Sequence, residues 1–489
     1  MNSAKLSMIR RLARSGDTER AWETFTEAGL DGETADADTL SLKGRLLKDR
    51  ALKASPKESP PLMRAARLAY LHAAASAEAT YPLINAATIA LLEDDRPQAA
   101  ALADRVLTML DSGAHEPETP YWLNATRAEA YLLLGRGADS KAALASAVRQ
   151  APRAWEDHAS TLRHFRLILE TLGQPDGWLE AYRPPASLHF SGIIQVAPDQ
   201  AASLARIAAA IEELKPGFAF GALAAGADIM AAELLLESGA ELHIALPSTI
   251  EAFRRDSVSQ FGARWESRFD AVVAAAQTVD VIDTLDIVSQ AGIFVSDEMA
   301  MGMTIRQAQM LESGATALRI GEGARARGNV LDAAWQRIGL PIHQITLDRD
   351  GQNTAQPLPA LAREAVLALP ANRDTGRLAN AGGRIEKLGG FAIARFCDPV
   401  DAARAALGEV ALGCEPLGIT YGAFDPDDGG VERQEAAIRI MGAAQPGRVP
   451  VSRSMALVLT LEAPELRCEN FGHIATAQGD IALSMLVPA

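Results

Sequence analysis

The sequence predicts a multidomain protein of the α and α/β classes. Residues 6–171 are rich in Ala and Leu, with apolar positions at helical spacing and no alternating β-branched runs, which is typical of an all-α segment. Strand-like and helix-like runs then alternate up to residue 347, which predicts a doubly wound parallel sheet. The remainder mixes strands and helices. Because 489 residues are too many for one core, we expect domains at 1–180, 185–348 and 381–489. The intervening residues 349–380 are expected to form a linker and a helix near 361–369.

The composition argues against several classes of protein. Asp and Glu number 62 against 47 Lys and Arg, and the resulting net charge of −15 disfavours a nucleic-acid partner. The most apolar stretch, 218–236, carries Asp228 and Glu233, so we expect no membrane span. No secretory apolar run follows the basic N-terminus, and the three cysteines are scattered without metal-site spacing. We therefore predict a cytoplasmic protein without a metal site.

The first domain is predicted to be a stack of antiparallel helix pairs. Pro, Gly and Asp residues separate the helical runs, and each pair must bury its apolar face on a neighbour. This favours an α-solenoid of the tetratricopeptide kind. The predicted helices are 65–77, 83–92, 96–110, 121–134, 140–150 and 160–172.

An ordered series of segments in this domain resembles a known family. The segments are 41–49 (SLKGRLLKD), 81–88 (YPLINAAT), 121–122 (YW) and 128–130 (AEA). They resemble the helical TRAFs-binding region of apoptosis-signal-regulating kinases, which implies a scaffold that binds a protein partner. Five polar residues lie near apolar helix faces, where burial demands hydrogen-bond partners. They either brace the solenoid or contact a ligand or partner, and they are Arg45, Lys48, Asp49, Asn85 and Glu129.

A turn crowded with small residues marks the second domain. The predicted strands are 188–196, 218–223, 241–246, 279–282, 315–321 and 342–347, and the turn (220–228, FGALAAGAD) follows the second of them. A strand end that meets a helix N-terminus offers backbone N–H groups to a phosphate, and small residues permit its approach. The glycine loop after the first strand is expected beside this turn. The predicted ligand site comprises Ser191, Gly192, Gly221, Ala222, Ala225, Gly226, Ala227 and Asp228.

Alternatives stay open at this site. The glycines either line a pocket or only permit tight turns. Asp228 either caps the helix or contacts a ribose or base, and Glu233 lies further along the same helix. Glu298 and Arg306 share a later predicted helix, as secondary candidates for a ligand contact or as surface residues.

Residues 221–233, together with the strand and proline at 241–247, resemble the SLOG superfamily. The resemblance implies a Rossmann-like domain that senses or processes a nucleotide-derived ligand. Segment 298–302 (EMAMG) and a later loop with Gly328 are also similar to bacterial signalling members of that superfamily. The Pro-Gly-Gly-x-Gly-Thr run of its phosphoribohydrolase branch is absent, so the resemblance does not imply hydrolysis.

The third domain is predicted to contain a strand-rich segment at 383–396, helices at 400–407 and 430–441, and a strand at 416–423. The run 445–452 (QPGRVPVS) then resembles the helix-to-strand signature of class III nucleotide cyclases, with closing strands from 471 to 486. The resemblance implies a ferredoxin-like α+β fold. It also implies a site in which two aspartates hold two metal ions.

Those metal ligands are missing from the positions that match the family. Gly389 stands where the hairpin carboxylate belongs, and residues 348–382 show no counterpart of the strand that carries the first one. Glu435 and Arg439 match the transition-state Asn and Arg, so only the Arg is kept. Arg439 is alternatively a surface residue paired with Glu435. A shifted alignment would instead leave another carboxylate, such as Asp398, poised at the site.

These observations favour a regulatory scaffold of bacterial signalling. It would sense a nucleotide-derived ligand in its second domain, bind a protein partner through its helices, and dock or form a homodimer through an inactive cyclase-like domain. No other cofactor is predicted. One alternative is a nucleotide hydrolase or transferase that uses Asp228, Glu233 or Glu298 as acid and base. Another is a scaffold that binds no small ligand.

Overall fold

A computed structural model describes residues 2–14, 16–32, 36–196, 200–281, 286–322, 330–349, 358–359, 361–424, 430–476 and 479–487. The chain divides into two compact units. The helical unit comprises Met1–Pro184 and Met310–Glu312, and the sheet unit comprises Pro185–Gln309 and Ser313–Ala489. Within the described part of the chain, no helix combines the length and apolar character needed to cross a lipid bilayer.

The helical unit confirms the all-α prediction for the N-terminal region. Each of the six predicted helices is present, and several begin a few residues earlier than their first apolar position. Thr119 explains one early start, because its hydroxyl accepts a hydrogen bond from Trp122 N while Pro120 takes the first helical position. The helices are α1 (Asn2–Arg14), α2 (Thr18–Glu27), α3 (Ala37–Lys53), α4 (Ser59–Ser76), α5 (Thr80–Leu92), α6 (Arg96–Ser112), α7 (Pro120–Leu133), α8 (Gly137–Gln150) and α9 (Trp155–Leu172), followed by a 3₁₀ helix (Gly177–Tyr182).

The first sheet of the sheet unit is parallel, as the sequence predicts. Its strands are β1 (Ser187–Gly192), β2 (Phe218–Gly221), β3 (Glu241–Leu246), β4 (Thr278–Val281), β5 (Ala315–Gly321) and β6 (Ile342–Thr346), in the order β4-β3-β2-β1-β5-β6. Every pairing in it is parallel. The helices between the strands are α10 (Ala201–Leu214), α11 (Ala227–Glu237), α12 (Ile250–Ser257), α13 (Ala263–Ala275), α14 (Gln290–Met310) and α15 (Val330–Arg337), with a 3₁₀ turn at Ser259–Phe261.

The strands of this sheet end close to their predicted limits. β1 stops at Gly192 rather than residue 196, because the chain there turns to meet the loop before α11, where Ile194 and Gly226 form an isolated bridge. Residue 282, predicted to end the fourth strand, and the loop with Gly328 lie outside the described residues.

The C-terminal region contains both strands and helices, as expected. Its strands form a second sheet in the order β12-β13-β11-β10-β7-β9-β8. Its pairings are antiparallel except for that between β10 and β11. The strands are β7 (Ala362–Pro370), β8 (Arg384–Leu388), β9 (Phe391–Phe396), β10 (Gly418–Phe424), β11 (Val449–Ser452), β12 (Arg467–Thr476) and β13 (Gly479–Val487). The helices are α16 (Gly376–Asn380), α17 (Pro399–Val410), α18 (Val431–Met441) and α19 (Arg453–Glu462).

The helix predicted near residues 361–369 is wrong, because this segment is strand β7. Its Ala- and Leu-rich sequence has high helix propensity. However, β7 lies between β9 and β10, and residues 364–369 are all buried. A strand between two neighbouring strands and covered by helices is mostly apolar along its whole length, without alternation. Its pairing in the sheet therefore overrides the local preference of Ala and Leu for a helix.

Helix α14 is buried on more than one side. One face packs on its own sheet, where Met301 and Ile305 join a core with Ala317 of β5 and Trp335 of α15. Apolar residues surround the helix instead of forming a single stripe, which is typical of a helix with neighbours all round. This enclosure lets α14 contact the second sheet as well.

Candidate ligand-binding site

The order of the parallel sheet reverses between β1 and β5. Strands β1 to β4 follow each other in one direction, and β5 and β6 lie on the other side of β1. In open α/β sheets, ligands bind at the carboxyl ends of the strands at such a reversal. We call this place, from Ser191-Gly192 of β1 to Gly321 of β5, the switch-point edge. The first sequence-predicted site residues therefore lie at the expected position of the fold.

The two predicted glycine loops meet at this edge. A Cβ at Gly192 would lie 2.5 Å from the Cβ of Ala227, and a Cβ at Gly226 would lie 2.7 Å from Ile193 O. Gly226 also has a φ of +126°, which disfavours any side chain there. Ala227 N donates to Ile193 O and Ala225 N donates to Ser257 O. Close backbone packing explains these glycines, and part of the turn's N–H groups bond within the protein.

The Gly221 position shows the same tight packing one step earlier. A Cβ there would lie 2.4 Å from Phe190 O on the paired strand β1. Ala222, by contrast, is half-buried and reaches the surface of the turn, whereas Ala225 is fully buried. The eight predicted residues thus gather at one place, with only part of them open to solvent.

Asp228 binds the two loops together. Its carboxyl oxygens accept hydrogen bonds from Gly192 N (2.6 Å) and Ala224 N (3.2 Å). The side chain is 5% exposed, and this desolvation raises its pKa to about 8, although both backbone hydrogen bonds oppose the shift and the charge of Asp297 adds to it. Asp228 therefore carries a proton near neutral pH. It holds loops rather than capping α11 in the usual way.

Three other sequence candidates lie away from the switch-point edge. Glu233 forms an ion pair with Arg268 of α13, at 2.5 Å. Glu298 is 2% exposed and accepts a hydrogen bond from Tyr421 Oη of β10 at 2.7 Å. Arg306 donates from Nε to Thr460 Oγ1 of α19 at 3.0 Å. The last two residues therefore join the two sheets of the sheet unit.

A row of contacting polar side chains, which the sequence analysis did not predict, includes His189 of β1. Arg319 Nε donates to Asp332 Oδ1 at 2.6 Å, and Arg319 Nη1 lies 2.6 Å from His189 Nδ1. His189 Nε2 lies 2.9 Å from Asp297 Oδ1 of α14. Polar residues at alternate positions of β1, His189 and Ser191, are the sequence signal that could have revealed a polar face on this strand.

The polar residues singled out in the helical unit form a second cluster. Lys48 Nζ donates to Asn85 Oδ1 and lies close to His164 Nε2, both at 2.9 Å. Thr88 Oγ1 donates to Glu129 Oε1 at 2.6 Å, and Glu129 Oε2 lies 3.8 Å from His164 Nδ1. Desolvation lowers the pKa of Lys48. The network joins helices α3, α5, α7 and α9.

Arg45 and Asp49 lie at the margin of this cluster. They form an i,i+4 pair on α3 with 3.7 Å between Nε and Oδ2, and each side chain is 26% exposed. Their partial exposure distinguishes them from Lys48 and Asn85, which are 3% and 2% exposed. The five polar residues thus share one location, but the two at the margin remain in contact with solvent.

In the second sheet, the end of β7 meets the turn between β8 and β9. Ala371 N donates to Gly390 O at 2.9 Å, and Pro370 pairs with Phe391. Strand β7 lies between residues 348 and 382, where the sequence analysis found no strand. Gly389 has a φ of +58°, and a Cβ placed on it would meet no described atom within 4 Å, so the turn is open. Pro370 and the two turn glycines carry no carboxylate.

Two further residues of this sheet were predicted from the sequence. Arg439 lies 3.7 Å from Glu435 on α18, in the i,i+4 arrangement. Asp398 caps α17, since its Oδ1 accepts a hydrogen bond from Val400 N at 2.7 Å. Within the described residues, no group of three or more His, Cys, Asp and Glu side chains is arranged to hold a metal ion.

Comparison with known proteins supports the interpretation of the first domain. Residues 4–90 match a family described as TPR-S, Tetratricopeptide Repeats-Sensor. The match covers well under half of the chain. This family match supports tetratricopeptide-like repeats at the N-terminus. A comparison with curated proteins gives no match.

Among solved structures, the chain is similar to the catalytic core of a rhodopsin-guanylyl cyclase with converted specificity, in complex with ATPαS. The identity is 9%, the TM-score is 0.20, and the similarity covers 26% of this chain and 94% of that chain. A similarity this weak carries no functional argument.

Proposed function

We propose that this protein is a regulatory scaffold of bacterial signalling that senses a nucleotide-derived ligand at the switch-point edge. The observation that carries the proposal is the meeting of two glycine loops, held together by the Asp228 carboxyl group, where the strand order reverses. The SLOG-like sequence of the turn supports the same ligand class. In this proposal the protein is cytoplasmic and contacts neither nucleic acid nor membrane.

The helical unit would bind a protein partner. The similarity of residues 4–90 to a tetratricopeptide-type sensor family and the TRAFs-binding-like segments support this role. The second sheet would act as a catalytically inactive cyclase-like module for docking or homodimer formation. Pro370 and Gly389 support the absence of cyclase chemistry, because they offer a divalent cation no carboxylate at the β7 end and the β8–β9 turn. The pairing of Arg439 with Glu435 supports it as well, because the carboxylate beside the arginine would repel a triphosphate.

Two experiments test the sensing proposal. Native protein would be denatured, and the released small molecules identified by mass spectrometry. A thermal-shift panel of nucleotides would then be run on the full chain, since any ligand that binds the native state raises the unfolding temperature. A nucleotide recovered unaltered supports sensing, whereas no released molecule and no stabilisation by any nucleotide would leave only a scaffold.

A nucleotide hydrolase or transferase is the second candidate. One observation favours it: the pKa of Asp228 is raised to about 8 by desolvation, whereas that of Asp297 is lowered below its ordinary value. Two neighbouring carboxyl groups with separated pKa values suit an acid and a base. Nucleotide turnover that Asp228→Asn abolishes would establish this candidate in place of sensing.

A further inference from the structure

We propose that the helical unit carries a second ligand site, in which Arg45, Tyr70 and Tyr81 bind the carboxylate group of a small organic acid. The three side chains belong to the successive helices α3, α4 and α5. The site shares no residue with the switch-point edge, so this inference and the nucleotide-sensing proposal stand or fall separately.

The hydroxyl group of Tyr70 is buried without a hydrogen-bond partner. Tyr70 is fully buried in the helical core, and its Oη makes no hydrogen bond with the described residues. Nearly all buried hydroxyl groups of native proteins are hydrogen-bonded, because an unpaired one lowers stability. An acceptor brought by a ligand would satisfy this hydroxyl.

Two ring contacts show where the Tyr70 side chain lies. A Cβ at Gly44 of α3 would be 2.8 Å from Tyr70 Cγ, so the ring lies directly on the α3 backbone, one residue before Arg45. The Tyr81 ring of α5 meets the Tyr70 ring edge-on, with 6.2 Å between the centroids. Desolvation raises the pKa of Tyr70, Tyr81 and Asp49 add to the rise, and Arg45 opposes it, in agreement with these contacts. The Tyr70 hydroxyl therefore belongs to the space between α3 and α5.

Arg45 brings a cation with unused donors to the same space. A guanidinium has five N–H donors, but those of Arg45 make no hydrogen bond with the described residues. Its ion pair with Asp49 spans 3.7 Å, which is longer than a hydrogen bond. The Arg45 side chain is 26% exposed and Tyr81 is 37% exposed, so a small molecule can reach both. Of the two roles that the sequence leaves open for Arg45, ligand contact fits better.

The network around Lys48 holds the site in place. Lys48 lies three residues after Arg45, on the same face of α3. Its Nζ donates to Asn85 Oδ1 and lies close to His164 Nε2, both at 2.9 Å. Asn85 Nδ2 donates in turn to Tyr81 O at 2.9 Å. These bonds fix the start of α5, and with it Tyr81, against α3.

The charges at the site favour a ligand with a single negative charge. Asp49 lies beside Arg45 and would repel a doubly charged phosphate, whereas the two tyrosine hydroxyls add donors without adding positive charge. The two oxygens of a carboxylate match the fork of a guanidinium. They also keep lone pairs for the hydroxyl groups of Tyr70 and Tyr81.

Thermal unfolding of the full chain in sodium acetate, chloride or phosphate of equal ionic strength tests this inference. Wild type is compared with Arg45→Gln, Tyr70→Phe and the control Arg64→Gln, since Arg64 is exposed on α4 and has no ion pair with the described residues. Relative to chloride, acetate should raise the unfolding temperature of wild type and Arg64→Gln by about 2–4 °C. Arg45→Gln and Tyr70→Phe should gain less. General salt effects act on all four proteins and cancel in the comparison.

Tyr70→Phe adds a result of the opposite sign. In chloride it should be at least as stable as wild type, because it removes a buried hydroxyl that has no partner. In acetate this advantage should disappear. A loss of stability in chloride would show that the hydroxyl is bonded within the protein, and it would overturn the inference.

Two further results would contradict the site. An equal response of wild type and Arg45→Gln to acetate would overturn it, and a larger Arg45-dependent response to phosphate than to acetate would overturn the choice of a carboxylate. If Arg45→Gln does not fold, as judged by circular dichroism, Tyr70→Phe decides alone. None of these results bears on nucleotide binding in the sheet unit.

Discussion

Tyr421 Oη donates a hydrogen bond of 2.7 Å to Glu298 Oε2, and this contact joins β10 of the mixed sheet to α14 of the parallel sheet. Both side chains are buried. Arg363 Nη1 of β7 lies 3.2 Å from Glu298 Oε1 and 3.1 Å from Tyr421 Oη, so three side chains share the contact. A buried polar contact between two sheets makes their packing specific and measurable.

Tyr421→Phe should destabilise the sheet unit by about 1–3 kcal/mol, because it leaves the buried Glu298 carboxyl without its nearest donor. Urea unfolding followed by circular dichroism measures the loss. Tyr182→Phe is the matched control, since the Tyr182 hydroxyl forms no hydrogen bond with the described residues and the substitution keeps the packing of its ring against Trp178 and the adjoining apolar core. Equal stability of both variants would contradict this role of Tyr421.

Glu298→Gln should change the dependence of stability on pH. Desolvation raises the pKa of Glu298 from 4.5 to about 7 in the folded protein. The folded state therefore holds this proton more tightly than the unfolded state, and the associated stability is full below pH 4.5 and lost as pH rises through 7. The loss is about 3 kcal/mol.

The measurement compares wild type with Glu298→Gln in urea between pH 4.5 and 8. Stability of the wild type relative to the variant should fall across that range. Asp228 also titrates there, but it is common to both proteins and cancels in the difference. A constant difference would mean that Glu298 is ionised throughout.

Gly302→Ala should destabilise the packing of α14 on the mixed sheet. A Cβ at Gly302 would lie 2.3 Å from Leu457 O of α19, and a backbone atom cannot move aside cheaply. We expect a loss of about 1–3 kcal/mol, as for other overpacked interiors. Thermal unfolding gives the value.

Gly408→Ala provides the control for Gly302→Ala. Gly408 lies within α17, and a Cβ placed on it would meet no described atom within 4 Å. The same substitution there should stabilise the protein by about 0.5–1 kcal/mol through helix propensity. If both variants shift the unfolding temperature upward, α14 does not pack as described.

Lys48 and Glu129 should show strong coupling in a double-mutant cycle. Lys48→Met and Glu129→Leu each leave buried polar partners uncompensated, at about 3–5 kcal/mol. The double variant should cost less than the sum of the two, because neither charge then remains. Additive losses, measured by urea unfolding, would show that the two charges do not interact.

Purified protein should form no cyclic nucleotide from ATP or GTP with magnesium or manganese. The end of β7 at Pro370 and the turn at Gly389 and Gly390 supply no carboxylate to bind a metal. Mass spectrometry of the reaction detects the product. Cyclic nucleotide formed by wild type but not by Arg439→Ala would contradict an inactive module.

The parallel sheet was predictable because strand and helix periods alternate clearly along it. The segment of β7 was not, since Ala and Leu favour a helix locally and only the strands on both sides make it a strand. The glycine turn was located from sequence, but its closure by Ile193 and Asp228 depends on contacts between distant residues. Asp297 was missed because neighbouring residues on a helix differ in the side of the protein they face.

Helix α14 also limits how this protein can evolve. Arg306 and Gly302 contact α19, and Met301 and Ile305 share one core with Ala317 of the parallel sheet and Leu461 of α19, so this helix serves both sheets. Exchanging the mixed sheet for another module would leave a groove and a guanidinium without a matching surface. The two sheets should therefore be inherited as an inseparable pair.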